Sequence, residues 1–206
     1  MATSLTLVTP PSGEPVTLSD LKAQLRLDTS YEDSLLSDYL TAARTLVEEY
    51  SRLALLTQTW SYSLDGSPID RLGLAGWPLL LPNTVRESTL ELPRPPLQSV
   101  TSVTFYDAGG AATVFDPGNY WVDTTTYPGR IALRQGKTWP VLLRNVNSFV
   151  VQYVSGYGAS GTSVPAPIRR AVLLTAAALY EAREGADDPL PPAARQLLQP
   201  YRVVLI

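Results

Sequence analysis

The stretch "VSGYGASG" places Gly156, Gly158 and Gly161 at the GxGxxG spacing, directly behind a strand-like segment. In a dinucleotide-binding fold such glycines bring a helix N-terminus onto a pyrophosphate, so the helix must open within the motif. Here Pro165 and Pro167 delay the helix until several residues after Gly161, and the neighbouring segments read as antiparallel strands. The expected role is a flexible strand-to-helix hinge. Carboxylates come next, because two that converge can act as acid and base on a glycosidic bond. Glu48 and Glu49 are neighbours on a helical pattern, so their side chains point about 100° apart and diverge. Asp187 and Asp188 precede Pro189 and read as a solvated turn. Asp107, Asp116 and Asp123 fall at strand ends or turns, positions that favour Asp in any case. Lys22 and Lys137 are the only lysines, and neither belongs to a Ser-x-x-Lys pattern. No catalytic residue is expected.

Composition narrows the chemistry further. With no cysteine and no histidine, disulfides, Cys/His zinc sites, thiol nucleophiles and Ser-His-Asp triads are excluded. No cofactor or metal site is expected. The net charge of −3 is the wrong sign for a protein that grips phosphates through a basic face. An acidic surface past which DNA slides remains compatible with it. Four Trp and eleven Tyr could stack on sugars or single-stranded bases. Most lie in strand-like segments or beside turn prolines, as in Trp77–Pro78 and Trp139–Pro140, and core and turn packing explains them better. No run approaches the roughly 18 apolar residues of a membrane span. The opening "MATSLTLVTPPSGEPVT" lacks a basic stretch and a long apolar run, so it is not expected to be a signal peptide.

The elements that would position these residues follow from periodicity. Residues 1–16 read as an extended, proline-punctuated arm. Thr17 and Asp20 form a variant capping box before a short helix with Leu18, Leu21 and Leu25 on one face. Ser30 and Asp33 repeat that pattern before a helix over about 31–53. In it Leu35, Leu36, Tyr39, Leu40, Ala43, Leu46, Val47 and Tyr50 make a broad apolar stripe. After residue 57 the period changes to two. "QTWSYSL", "LQSVTSVTFYD", "NYWVD", "GRIALRQ" and "NSFVVQYVSGY" predict short antiparallel strands between Gly- and Pro-containing turns. The stretch from Gly66 to Thr89 fits neither period and reads as a long loop or arm. Helix returns over about 167–184, with Ile168, Ala171, Val172, Leu174, Thr175, Ala178 and Leu179 as its stripe, and again in "PAARQLLQ". The predicted class is α+β: a helical bundle formed by N- and C-terminal helices, with an inserted antiparallel β-sheet region. The boundaries are 17–56 and 165–199 for the helical domain, 57–164 for the insertion, and 200–206 for an extended tail.

In this order the segments resemble the head–tail connector (adaptor) proteins of tailed bacteriophages and gene transfer agents. The resemblance is carried by "VTLSDLKAQLRLD", "EDSLLSDYLTAARTLVEEYSRLALLTQTW", "LPRPPLQSVTSVTFYD", "YPGRIAL", "VQYVSGYG", "VPAPIRRAVLLTAAALYEAREG" and "LLQPYRV". It covers about residues 16–204, and the combination in order is more specific than any piece. The apolar stretch Leu72–Pro82 is longer than the family's pattern. The resemblance implies a structural virion protein at the capsid–tail junction, assembled in the host bacterial cytoplasm. It implies a homo-oligomeric ring, twelvefold like the portal, that joins the portal protein to a stopper or tail-completion protein. Double-stranded DNA would pass through the ring without specific binding. The alternatives are another virion ring component such as a stopper, or a β-rich polysaccharide-acting enzyme.

Two sets of residues are the candidate contacts. Pro200 is expected to end the last helix, leaving Tyr201, Arg202, Val203, Val204, Leu205 and Ile206 extended, with three β-branched residues suited to a strand. This tail is a candidate for strand addition to the portal; the alternative is packing on the subunit's own helices. Arg169 and Arg170 open a helix against the dipole preference. They are candidates to pair with Glu48 or Glu49 of a neighbouring subunit, or to be solvated.

Overall fold

The computed structural model describes residues 2–68, 89–141, 143–182 and 189–203. Leu72–Pro82 with Trp77–Pro78, the pair Asp187–Asp188, and Val204, Leu205 and Ile206 lie outside the described residues. The chain divides into two units: Met1–Pro10 with Gln58–Ser155, and Pro11–Thr57 with Gly156–Ile206. The class is α+β.

The second of these, the helical unit, begins at a closed capping box. The Thr17 hydroxyl accepts from the Asp20 backbone N–H at 3.1 Å, and the Asp20 carboxylate accepts from the Thr17 N–H at 3.0 Å. Helix α1, Leu18–Leu25, follows and stops at Arg26 in the left-handed region. Helix α2 is Asp33–Ser51, with Arg52 left-handed after it. The second capping box expected from Ser30 and Asp33 does not form. Glu32 takes the N-cap position without a side-chain cap, and the Asp33 carboxylate pairs with Lys22 instead. The predicted stripe is narrower than its pattern. Leu36, Leu40, Ala43 and Val47 are buried, whereas Leu35 is 37% exposed. Helix α3, Ala166–Glu181, buries Ile168, Ala171, Val172 and Thr175. Helix α4, Pro192–Leu198, buries Ala194 and Leu198. All four helices contribute to one apolar core, with α3 packed on α1, α2 and α4.

In the sheet unit the expected alternation is visible in burial. Strand β2, Gln58–Leu64, and strand β8, Phe149–Ser155, each alternate buried and half-buried residues along their whole length. They pair antiparallel, with Trp60 opposite Tyr153, Tyr62 opposite Val151 and Leu64 opposite Phe149, which aligns large side chains on the core face. Between them in sequence lie β3 (Thr89–Glu91), β4 (Leu97–Tyr106), β5 (Ala112–Val114), β6 (Tyr120–Asp123) and β7 (Arg130–Leu133). The larger sheet has the order β1-β2-β8-β4-β5, where β1 is Thr3–Thr9, and the smaller one β3-β7-β6; among the described residues every strand pairing is antiparallel. Aromatic rings fill the core: Trp139 meets Phe149 edge-on at 5.3 Å, and Phe115 stacks on Tyr120 at 5.9 Å. Burial, and then the nearby Tyr62, push the Tyr153 phenol well above its usual range; its O–H donates to the Pro93 carbonyl at 2.7 Å.

Two stretches differ from their expected places. Thr3–Thr9, read as part of an arm, is strand β1, paired with β2 from Thr3–Leu64 to Thr9–Thr59. Gly156 to Val164, read as part of the insertion, belongs with the helices. The Tyr157 N–H donates to the Leu55 carbonyl at 3.1 Å, and the Thr57 N–H to the Gly158 carbonyl at 3.0 Å.

Candidate functional site

The glycine motif is packed against protein at each glycine. A Cβ on Gly156, whose φ is +126°, would stand 2.2 Å from the Leu56 carbonyl oxygen, and one on Gly161 would stand 2.5 Å from that of Pro15. These glycines therefore admit neighbouring backbone, the other reason a chain uses glycine at close approach. The segment is a strand-to-helix connection as expected, but it is hydrogen-bonded and tightly packed where a flexible hinge was expected. Helix α3 opens at Ala166, five residues beyond the last glycine.

The loop acids are occupied by their own turns. Asp107 accepts from the Ala111 N–H, and Asp116 from the Gly118 N–H. Asp123 accepts from the Thr125 hydroxyl at 2.6 Å and N–H at 3.0 Å, and from Arg130 at 3.0 Å. Those Thr125 bonds, with Arg130 behind them, hold its carboxyl down at about 2. Among the described residues no group of three or more His, Cys, Asp or Glu could hold a metal ion. Among them, too, no helix is long and apolar enough to cross a membrane.

Glu48 is buried, and its contacts lie within the subunit. One carboxylate oxygen accepts from the Leu55 N–H at 2.9 Å and the other from Arg44 at 3.0 Å. Arg44 also donates to Glu14 at 2.9 Å. The network pins the segment before α1 and the turn after α2 to the middle of α2. It removes Glu48 from the expected contact with a neighbouring subunit, because a buried carboxylate already paired with Arg44 cannot reach across a surface. Sequence reasoning missed Arg44, although its i,i+4 spacing to Glu48 inside an apolar stripe was the available signal. Glu49 is exposed on the next position.

The structure brings Arg169 and Arg170 together with α1. They line a groove of about 440 Å³ with Val16, Asp20, Ala23, Gln24 and Leu173. Arg170 donates to the Gln24 side chain at 2.7 Å. Hydrogen bonds from the Thr17 side chain and backbone hold the Asp20 carboxyl below the usual range, and nearby Arg169 adds to that. The two arginines therefore have a partial counter-charge at the α1 face.

The described part of the tail is anchored at home. Pro200 sits inside a one-turn 3-10 helix, Gln199–Tyr201, so Tyr201 is helical where an extended residue was expected. Proline is tolerated there because an opening turn needs no N–H from it. Extended backbone begins at Arg202, whose guanidinium lies 5.1 Å from the centre of the Tyr50 ring. The Val203 N–H donates to the Ser51 carbonyl at 3.0 Å, and Tyr201 and Val203 pack on the helical core.

Comparison with known proteins adds one family match and three fold matches. Residues 15–77 match the model of a family described as phage gp6-like head-tail connector protein. The whole fold matches a chain of the neck of an empty gene transfer agent particle computed with C6 symmetry. The TM-score is 0.75 at 24% identity over 98% of this chain and 97% of that one. It also matches chains of the native gene transfer agent virion (TM-score 0.73, 24% identity, 98% and 96% covered). A third match is to the neck of the native particle computed with C12 symmetry (0.69, 23%, 98% and 97%). No curated protein sequence matches the chain.

Proposed function

We propose that this chain, which carries the head–tail connector signature over residues 15–77, is a structural virion protein of the neck. It forms a ring that joins the portal of the capsid to the stopper or tail and leaves a channel for DNA. The observation that carries this reading is the end-to-end fold match to neck chains, one of them described with C12 symmetry. Twelve copies are the expected number. The helices from both ends of the chain form the bundle of each subunit, and assembly takes place in the host cytoplasm before the tail is joined. The net charge of −3 suits a channel past which phosphates slide, since a basic lining would hold them.

Within this reading Tyr201, Arg202 and Val203 root the tail on α2, and the portal contact is assigned to Val204, Leu205 and Ile206. Burying those three apolar side chains gains about 1.5–3 kcal/mol each before ordering costs, so one tail binds marginally and a ring of tails gains by multivalency. Arg169, Arg170 and Glu49 are the proposed charges at the contact between subunits.

Size-exclusion chromatography with light scattering, on the protein alone and mixed with its portal, tests the reading. A complex holding a ring's worth of subunits is expected. A monomer that ignores the portal would overturn it. Removing residues 204–206 should abolish portal binding while leaving the melting temperature unchanged; full binding by the truncated protein would remove the tail from the mechanism.

A further inference from the structure

Ring closure needs two different surfaces on each subunit that fit one another head to tail. The larger sheet ends in β1 on one side and β5 on the other. Among the described residues neither end strand has a partner on its outer edge. Thr3–Thr9 carries no charge and no proline, and Leu7 and Val8 are 40% and 47% exposed. Ala112–Val114 is exposed throughout, with Val114 at 64%. Sheet edges that face water are ordinarily protected by charge, proline or a bulge that twists them away. β1 does carry an irregularity between Leu7 and Thr9, yet neither strand has a charge or proline to prevent another strand from adding.

Strand direction limits what can add. Each of the five strands runs antiparallel to its neighbour, and five is odd, so β1 and β5 run the same way. A neighbouring copy placed by rotation, with its sheet continuing this one, would set β5 beside β1 in parallel. A twofold dimer would instead set β1 beside β1 in antiparallel. At about 4.8 Å between strands, five strands span roughly 24 Å. Twelve such sheets placed edge to edge close a belt about 90 Å across, which is wide enough to surround a DNA channel.

We propose, resting on the ring reading above, that neighbouring subunits join by parallel pairing of β5 of one copy with β1 of the next. Three residues of β5 make this contact weak for an isolated pair. It becomes persistent only when the ring closes and every copy is held on two sides. The occupant of the β1 edge is therefore a second copy of this chain.

The absence of cysteine gives a clean test. The variant Thr6→Cys is combined in turn with Ala112→Cys, Thr113→Cys and Val114→Cys, all at exposed positions. Each is co-expressed with the portal of the same virion, oxidised mildly and run on non-reducing gels. Neighbouring strands place Cα atoms within disulfide range, so at least one pair should give a ladder of multimers reaching the ring. Each single-cysteine variant should stay monomeric on the same gel, and unchanged melting checks the fold. Rings by light scattering with no ladder from any pair would overturn the strand contact and leave the ring reading intact. A dimer from Thr6→Cys alone would replace it with a twofold contact. A cross-link from Thr6→Cys to the portal would give the edge to that partner. Absence of any ring on the portal would overturn both readings.

Discussion

Arg44 in the helical unit and Arg134 in the sheet unit are each held against a partner, in opposite surroundings. Arg44 is buried between Glu14 and Glu48. Arg134 lies 3.5 Å over the ring of Trp121, which is 58% exposed. The helical unit thus closes this ion network inside itself, whereas the sheet unit holds Arg134 on an exposed ring and keeps two uncharged strand edges at its surface. A buried ion pair commits a structure, because losing one partner strands the other charge in low dielectric. A surface cation over a ring commits little and can be rearranged by a partner.

The largest effect expected from this contrast is at Arg44. Arg44→Ala removes the buried guanidinium that bridges Glu14 and Glu48, and should destabilise the protein by about 3–5 kcal/mol in urea unfolding. Arg134→Ala should cost only about 0.5–1 kcal/mol. Equal costs for the two variants would break the comparison.

Next in size is the connection between β8 and α3. Gly156→Ala puts a methyl group against the Leu56 carbonyl at a φ of +126°, which should cost about 1–3 kcal/mol or more. Gly13→Ala, in the same unit, meets nothing within 4 Å and should stay within about 0.5 kcal/mol of the parent. The pair separates a glycine needed for close approach from one that is not. If Gly156→Ala also folded without loss, the segment would be the loose hinge that its spacing alone predicts.

These two sites also mark what could be read from the sequence. The strands in "QTWSYSL" and "NSFVVQYVSGY" were legible because alternation is a direct consequence of one buried face, and both helices with apolar stripes were legible for the same reason. β1 was not, because its alternation over Ser4-Leu5-Thr6-Leu7 is short, is broken by Val8 and runs into the Pro10–Pro11 pair, which together read as an arm. Likewise the three residues of β5 are too few to show a period. Arg44 was missed, and Glu48 read as a candidate contact for a neighbouring subunit, because sequence does not reveal that Glu14, thirty positions earlier, returns to the same place. The tail was half legible. Pro200 did announce a break, but a proline in a first turn permits a 3-10 helix as readily as an end. The Ser51 carbonyl that holds Val203 belongs to a residue far back in the chain.

A smaller effect is expected at the first cap. Thr17→Ala removes the hydroxyl that accepts from the Asp20 N–H and donates to its carboxylate at 2.7 Å. A loss of about 1 kcal/mol is typical of such caps, and thermal melting would register it. No change would mean that the packing of α1 on α3 fixes the helix start without the box.

The smallest effect compares two carboxylates held the same way in the two units, Asp20 by Thr17 and Asp123 by Thr125. Both are held below the usual range, Asp123 at about 2. A carboxyl with a depressed folded pKa binds fewer protons folded than unfolded, so its contribution is fully present above the unfolded value near 4. It is lost as pH falls, down through about 2 for Asp123. Asp20→Asn and Asp123→Asn should each flatten the acid limb of a stability-against-pH curve below pH about 4 and leave the neutral region's slope unchanged. Because the Thr125 hydroxyl is the leading cause at Asp123, with Arg130 behind it, Thr125→Ala should raise the Asp123 pKa in an NMR titration more than about 0.5 M salt does. Salt screens the guanidinium and leaves the hydroxyl bond in place. A larger response to salt than to Thr125→Ala would make Asp123 a surface ion pair. The turn after β6 would then be held by charge, as Arg134 is held over Trp121, and the likeness between the two threonine-bound carboxylates would fail.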